Sequence, residues 1–240
     1  MKFIRVISIL FWFLLVILIP VQPVVGQSMS SAVITISVQG PLTPALVGYI
    51  ERGISSAEKQ NAELLVLQLD TPGGSIDLMN TIVQNIRSSE VPVAVFVAPR
   101  GAIAGSAGTL ITLAGHIAAM APETAIGAAS PVGGQGEDLG ETIEAKQKEI
   151  LKASVRSLAS NRGPDAVALA EDTIENAKAA SSEEALSVGL IDLIATDVND
   201  LLVKINGRTV ELSTGSKILN LDNFVVYPLE MSFIENLLQL

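Results

Sequence analysis

Cysteine is absent from all 240 residues, and histidine occurs once, at His116. Without thiols the fold cannot use disulfides, and thiol catalysis and thiolate metal sites are excluded. A single imidazole also rules out a histidine-rich metal centre. Aromatic residues make up 4% of the chain, too few for base-stacking platforms. Basic side chains number 15 against 25 acidic ones, and the formal charge of -10 argues against nucleic acid as a partner. What remains is apolar: 49% of the residues are hydrophobic, and the length suits one large α/β domain held together by its core alone.

Long hydrophobic runs are scarce too, and the one present stands at the start. Lys2 and Arg5 precede an apolar run from Val6 to Ile19, then Pro20 and Val24-Val25-Gly26. That order of charge, apolar run and small residue is that of a secretory signal cleaved after Gly26, and the run is shorter than the ~20 residues a spanning helix needs. An uncleaved membrane anchor is the alternative. Either way the rest of the chain is expected to be exported.

In that remainder, Ser31–Val38 has the β-branched pattern of a strand, and Thr43-Pro44 offers an N-cap with proline in the first turn of a helix running to about Asn61. Leu64–Leu69 and Pro92–Val97 are almost continuously apolar, as strands covered on both faces of a parallel sheet are. Between them Ile76, Met79, Ile82, Val83 and Ile86 recur at helical spacing over 76–88. Strand, turn and helix thus repeat, which predicts right-handed parallel crossovers. A short helix over Ser106–Leu113, a strand over His116–Met120 and another near Ala125 follow. Residues Ala128–Gly140 lose apolar periodicity, which predicts a mobile loop. Helices are predicted over Thr142–Asn161, Asp165–Glu171 and Ser182–Val188. The last has Ser181 and Glu184 at capping-box spacing and Gly189 at its end, ahead of a strand Leu190–Ile194. Asn206-Gly207 marks a turn before a strand over Arg208–Leu212, and Ser232–Leu240 has the start of an amphipathic helix.

Ser106 stands among small residues, in Gly101-Ala-Ile-Ala-Gly-Ser106-Ala-Gly-Thr109. A hydroxyl is a weak nucleophile, so catalysis at serine needs a nearby base and donors for the oxyanion formed on attack. A helix opening at Ser106 would turn its N-H groups and positive dipole end toward the site, with Ala107 N-H as one donor. Asp70-Thr-Pro-Gly-Gly74 follows a buried strand, at the carboxyl edge where open parallel sheets place their sites, and Gly74 N-H is the second donor. Gly73, Ser75 and Gly105 are placed beside them as substrate-binding residues. Packing accounts for the same small residues equally well, with Pro72-Gly73-Gly74 as a tight turn.

For the base, His116 is excluded on distance, because ten helical residues at ~1.5 Å each put it roughly 15 Å from Ser106. The long helix offers Lys146, Lys148 and Lys152, and a buried lysine with a lowered pKa can accept the serine proton. At ~100° per residue Lys146 shares an arc with Ile143, Ile150, Ala153 and Ser154, and with Gln147 at its edge, whereas Lys148 and Lys152 fall opposite beside Arg156. Snorkelling of Lys146 to solvent is the competing reading.

The ordered series Leu69-Asp-Thr-Pro-Gly-Gly74, Gly101–Thr109, Ala119-Met-Ala-Pro122, Ile126-Gly-Ala128, Arg156-Ser-Leu-Ala159 and Glu183-Glu-Ala-Leu-Ser-Val-Gly-Leu-Ile-Asp192 resembles the NfeD family of membrane-bound serine proteases, the ClpP-like group associated with stomatin-type proteins. The resemblance implies an α/β, ClpP/crotonase-like fold of repeated ββα-type units with a mostly parallel sheet. It also implies a Ser-Lys dyad without a cofactor or metal, with Ser106 as nucleophile. Counted back from Ala159, the family lysine is Lys146. Glu149 departs from the asparagine often found three residues after that lysine, and Lys148 is its neighbouring rival. Long members continue into membrane helices and a small β-barrel domain.

The expected division is therefore a signal peptide or uncleaved anchor over 1–26, a ClpP-like protease domain over 27–212 and a C-terminal extension over 213–240 with the start of a membrane-proximal helix. The expected activity is endopeptidase cleavage of membrane-protein segments, with a stomatin-like membrane protein as the plausible substrate, by a membrane-associated homodimer or larger homo-oligomer. The loop Ala128–Gly140 would order around an extended peptide. A crotonase-like acyl-CoA enzyme is the runner-up, disfavoured by export and by the lack of a Lys/Arg cluster for coenzyme A phosphates. An inactive membrane-associated scaffold of the same fold is the third.

Overall fold

The computed structural model describes residues 31–133, 137 and 139–239, so the expected secretory segment lies outside the described residues. A six-stranded sheet runs in the order β11-β1-β2-β3-β5-β8, with every neighbouring pair parallel. Its strands are β1 (Ser31–Gln39), β2 (Leu64–Asp70), β3 (Val93–Val97), β5 (Ile117–Met120), β8 (Leu193–Ile194) and β11 (Phe224–Pro228). Helices α1 (Pro44–Lys59) and α2 (Ile76–Ser88) link the first strands as the periodicity predicts, and Thr43 and Ser75 cap them through Leu46 N-H and Leu78 N-H.

The apolar strands divide by side-chain parity because successive residues point to opposite faces. Ile34, Ile36, Leu65, Leu67, Val95 and Met120 pack into one core beneath the helices. Val33, Leu64, Val66, Phe96 and Ile117 pack into a second. Burial of each such Leu or Ile contributes about 1.5–3 kcal/mol. The second core is closed by α7 (Val198–Ile205), through Leu201, Leu202 and Ile205, and by Val210 and Leu219 around the hairpin β9–β10 (Thr209–Leu212 and Gly215–Ile218).

A second sheet stands at the carboxyl end of the first: β4 (Ile103–Gly105), β6 (Ala125–Gly127) and β7 (Ala179–Ser181). It grows out of β2, for Thr71 bridges Ala104 and Thr71 N-H donates to Ile103 O at 2.7 Å. Helix α3 (Ala107–Ala114) follows β4 directly, α4 is Glu141–Ala159, α5 is Pro164–Glu175 and α6 is Ser182–Ser187.

Three expectations need correcting. The strand predicted over Leu190–Ile194 is reduced to Leu193–Ile194, since Leu190 and Ile191 N-H groups both turn back to Ala185 O and cannot reach β5. In the predicted loop Ala128–Gly140 the described residues lie outside any helix or strand, and the first of them are fixed: Ala128 N-H donates to Lys178 O, Ala129 N-H to Thr173 O, and Ala129 is buried. The described part of the expected extension, residues 213–239, is built into the fold, because β11 lies beside β1 in the main sheet. The last helix, α8 (Phe233–Gln239), docks on α1 through Arg52 and Glu235 at 2.6 Å, and that guanidinium holds the Glu235 carboxyl down to about 2.

Candidate active site

Ser106 is the residue between β4 and α3, and its backbone is held at φ 51°, ψ -118°. Positive φ is unfavourable for any residue with a Cβ, by about 1–3 kcal/mol, and persists only where the surroundings impose it. They do so here: Ser106 N-H donates to Gly127 O at 2.8 Å, Gly105 N-H to Thr71 O at 2.9 Å, and Thr109 Oγ1 to both Ala104 O and Gly127 O. The Ser106 hydroxyl does not cap α3 and makes no hydrogen bond among the described residues, so it stands uncommitted at the positive end of that helix.

The Thr71–Ser75 turn meets the serine loop closely. A Cβ on Gly73, where φ is +112°, would lie 2.7 Å from Ser106 Cβ and 3.2 Å from Ala107 N. Gly73 N-H is taken by Thr71 Oγ1 at 3.0 Å, and Gly73 O accepts from Leu42 N-H at 2.8 Å. Gly74 N-H and Ala107 N-H donate to nothing among the described residues. Two donors beside an uncommitted hydroxyl are the components of an oxyanion site. Of the residues expected to touch substrate, Ser75 lines the cleft while its hydroxyl caps α2, and Gly73 and Gly105 act by letting the two loops approach.

A cleft of about 780 Å³ opens over Ser106. Its floor is Ser106, Ala107 and Leu110; the 72–79 and 128–133 segments form two walls, and Gln147, Ile150 and Leu151 of α4 form the third. A second depression of about 720 Å³ lies between α4, α5 and α6, where Lys152 pairs with Glu175, and contains none of these residues.

The expected face of α4 is corrected by the structure. Its buried residues are Leu151, Val155 and Ala159, while Ile143 and Ile150 are 54% and 64% exposed and Lys146 is exposed as well. The stripe that packs runs at i, i+4 from Gln147, so the arc counted from Ile143 faces the mouth of the cleft and solvent. Lys146 is therefore not desolvated, and it makes no hydrogen bond to Ser106 among the described residues. Lys148 is tied to Glu144 at 2.8 Å and donates to Glu175 O, and Lys152 pairs with Glu149 and Glu175. Those carboxylates raise the pKa of both amines and hold them as ammonium groups, without a free lone pair to take the serine proton. Lys146 has no carboxylate partner among the described residues.

His116 is placed as distance requires, past the far end of α3. Its Nδ1 accepts from Val93 N-H at 3.1 Å, and burial, aided by the nearby Arg87 charge, pushes its pKa down to about 4. It is a neutral structural acceptor. Among the described residues no group of three His, Cys, Asp or Glu side chains is arranged to hold a metal ion.

Residues 32–214 match the family described as NfeD1b, N-terminal domain. The chain belongs to that family. The membrane-bound protease PH1510 of Pyrococcus horikoshii is 37% identical over 229 residues, covering 94% of this chain and 51% of that protein. Membrane protein NfeD1b of Bacillus subtilis is 26% identical over 200 residues, covering 78% and 44%. The chain thus spans about half the length of the curated relatives it matches. Among solved structures, a lysine-to-alanine mutant of the 1510-N membrane-bound stomatin-specific protease in complex with a substrate peptide superimposes with a TM-score of 0.80 at 35% identity, covering 88% of this chain and 100% of that one. A serine-to-alanine mutant of the same protease gives 0.78 at 36% identity, covering 85% and 99%. ClpP1 of Listeria monocytogenes, at 0.57 and 17% identity over 70% of this NfeD1b domain and 94% of its own chain, shares the fold, which is ClpP-like.

Proposed function

We propose that this domain is a serine endopeptidase in which Ser106 attacks a peptide carbonyl. The observation that carries it is the strained, uncommitted Ser106 beside the free Gly74 and Ala107 N-H groups in an open cleft. Lys146, as the neutral amine, takes the hydroxyl proton while Oγ bonds to the carbonyl carbon. The two N-H groups hold the oxyanion, the C-N bond breaks, and the Lys146 ammonium returns its proton to the leaving amine. Water then hydrolyses the acyl ester with Lys146 again as base.

Lys146 is supported by its place in the family pattern, by its lack of a carboxylate partner, and by the relative whose serine and lysine were each replaced. To reach Ser106 the first turns of α4 must turn inward. No residue of α4 before Leu151 is buried, so that movement breaks little packing. Catalytic contacts of this kind commonly tighten only when substrate binds.

The substrates proposed are segments of membrane proteins, with a stomatin-like protein as partner, because the similar archaeal protease is described as stomatin-specific. Attachment to a membrane on the extracytoplasmic side and a homodimer or larger assembly belong to the same proposal. The relatives are named as membrane proteins, and α8 leaves Phe233 and Leu238 82% and 67% exposed. No helix among the described residues is long and apolar enough to cross a membrane.

The test is cleavage of a fluorogenic peptide library by the purified chain. Ser106→Ala and Lys146→Ala are each expected to lose cleavage, with Lys148→Ala and His116→Asn retaining it. Full activity in Lys146→Ala overturns the base assignment. The exposed position of Lys146 favours one rival, a peptide-binding module without turnover; peptide binding with no cleavage by the intact chain would select it.

A further inference from the structure

Gln147 of α4 lines the cleft with Ser106, and its Oε1 is buried without a hydrogen-bond partner, the one such side-chain atom among the described residues. A buried carbonyl left unpaired costs about 1–3 kcal/mol, and buried acceptors in folded proteins are nearly always satisfied. Gln147 stands one turn before Leu151, in line with the stripe that α4 packs inward, so the side chain borders the cleft. Of the other residues that line the cleft, Leu110, Met79 and Val132 carry no side-chain donor, the Ser130 hydroxyl donates to Ile174 O, the Ser75 hydroxyl caps α2, and Ser106 with the Gly74 and Ala107 N-H groups belongs to the reaction site. None of these groups reaches Gln147 Oε1, and a donor carried by an occupant of the cleft would satisfy it.

We propose that Gln147 is a substrate-binding residue whose Oε1 accepts a hydrogen bond from a backbone N-H of the bound peptide. An acceptor on the α4 wall and the Gly74 and Ala107 donors match the two polar edges of an extended peptide, whose side chains then meet Ile150, Leu151 and Met79. Because the contact is to the main chain, it fixes the position of the peptide without selecting its sequence. The inference rests on the cleft being a peptidase site, and it adds a residue outside the Ser-Lys dyad.

The experiment uses the fluorogenic peptide that the intact chain cleaves fastest. Gln147→Met keeps the side-chain length and removes the acceptor; Gln147→Glu keeps an acceptor oxygen at the same reach. Gln147→Met is expected to unfold at or above the wild-type temperature, to raise KM about tenfold and to leave kcat within about threefold, with Gln147→Glu recovering most of the KM loss. Peptides N-methylated one bond at a time supply the second measurement. One methylation should weaken wild-type binding about tenfold and leave Gln147→Met no worse. Unchanged KM, a loss confined to kcat, a lowered unfolding temperature in Gln147→Met, or an N-methyl profile identical in both proteins each overturns the proposal. Failure of the intact chain to cleave any peptide instead overturns the peptidase reading, so the two failures are distinct.

Discussion

Replacing Gly73 by alanine tests whether the contact between the two loops aims the nucleophile. The new Cβ meets two penalties. At φ +112° an alanine backbone is strained by about 1–3 kcal/mol, and the Cβ would sit 2.7 Å from Ser106 Cβ and 3.1 Å from Gly105 O. Ordinary carbon contacts lie near ~3.5–4.0 Å, so one loop must retreat by the better part of an ångström. Misplacement of a reacting group by ~1 Å costs on the order of 100-fold in rate. For a domain of this size each kcal/mol shifts the unfolding midpoint by about 2–4 °C, so strain alone predicts a drop of about 2–12 °C. Gly163 is the control, for its φ is +94° and nothing lies within 4 Å of a Cβ there. Gly163→Ala should lower the midpoint similarly in calorimetry while keeping kcat/KM on a fluorogenic peptide within about threefold, against a loss of about 100-fold in Gly73→Ala. Equal activity in the two variants at matched stability would refute the reasoning, since backbone strain would then be the whole effect.

Two further predictions concern groups already placed. Ser106→Gly should abolish cleavage and yet raise unfolding stability by about 1 kcal/mol, because glycine tolerates φ 51° and the strain relieved exceeds the added chain entropy; denaturant titration reads the gain. His116 has a folded pKa of about 4 against 6.5 in the unfolded chain, so the unfolded state binds the extra proton between those values. Its stabilisation is whole above pH 6.5 and is lost as pH falls toward 4, by up to about 3 kcal/mol. His116→Asn, whose amide oxygen can accept from Val93 N-H, should flatten that part of the pH profile, and an unchanged profile would remove His116 as its source.

Where burial was one-sided or total, the sequence was easy to read. Leu64–Leu69 and Ile76–Ser88 carry their pattern openly, and the observed elements Leu64–Asp70 and Ile76–Ser88 follow it. Short elements escaped because their cause is tertiary. β4 and β7 have three residues each and exist by pairing with β6, and β11 has exposed Val225 and Tyr227 where a buried strand would show its alternation. Both glycines and Ser106 could be picked out from local chemistry, since small residues after buried strands mark close approach. Gln147 could not, because only the true orientation of α4 turns it inward, and the isoleucines that suggested another orientation face outward.

The place of β11 bears on how the chain reaches its native state. β1 is an interior strand only once Phe224–Pro228 has arrived beside it, and the family match ends at residue 214. Until then Ser31–Thr35 presents a bare row of amides and carbonyls along a hydrophobic edge, the kind of template on which chains pair with one another. Ribosomal synthesis delivers the covering strand after the other strands of the sheet, and its contact with β1 joins residues nearly two hundred apart, a slow closure. The segment after residue 214 therefore covers β1 and moves the sheet edge to the shorter β11, which ends in Pro228, and a fragment trimmed to the family boundary would leave β1 as the edge.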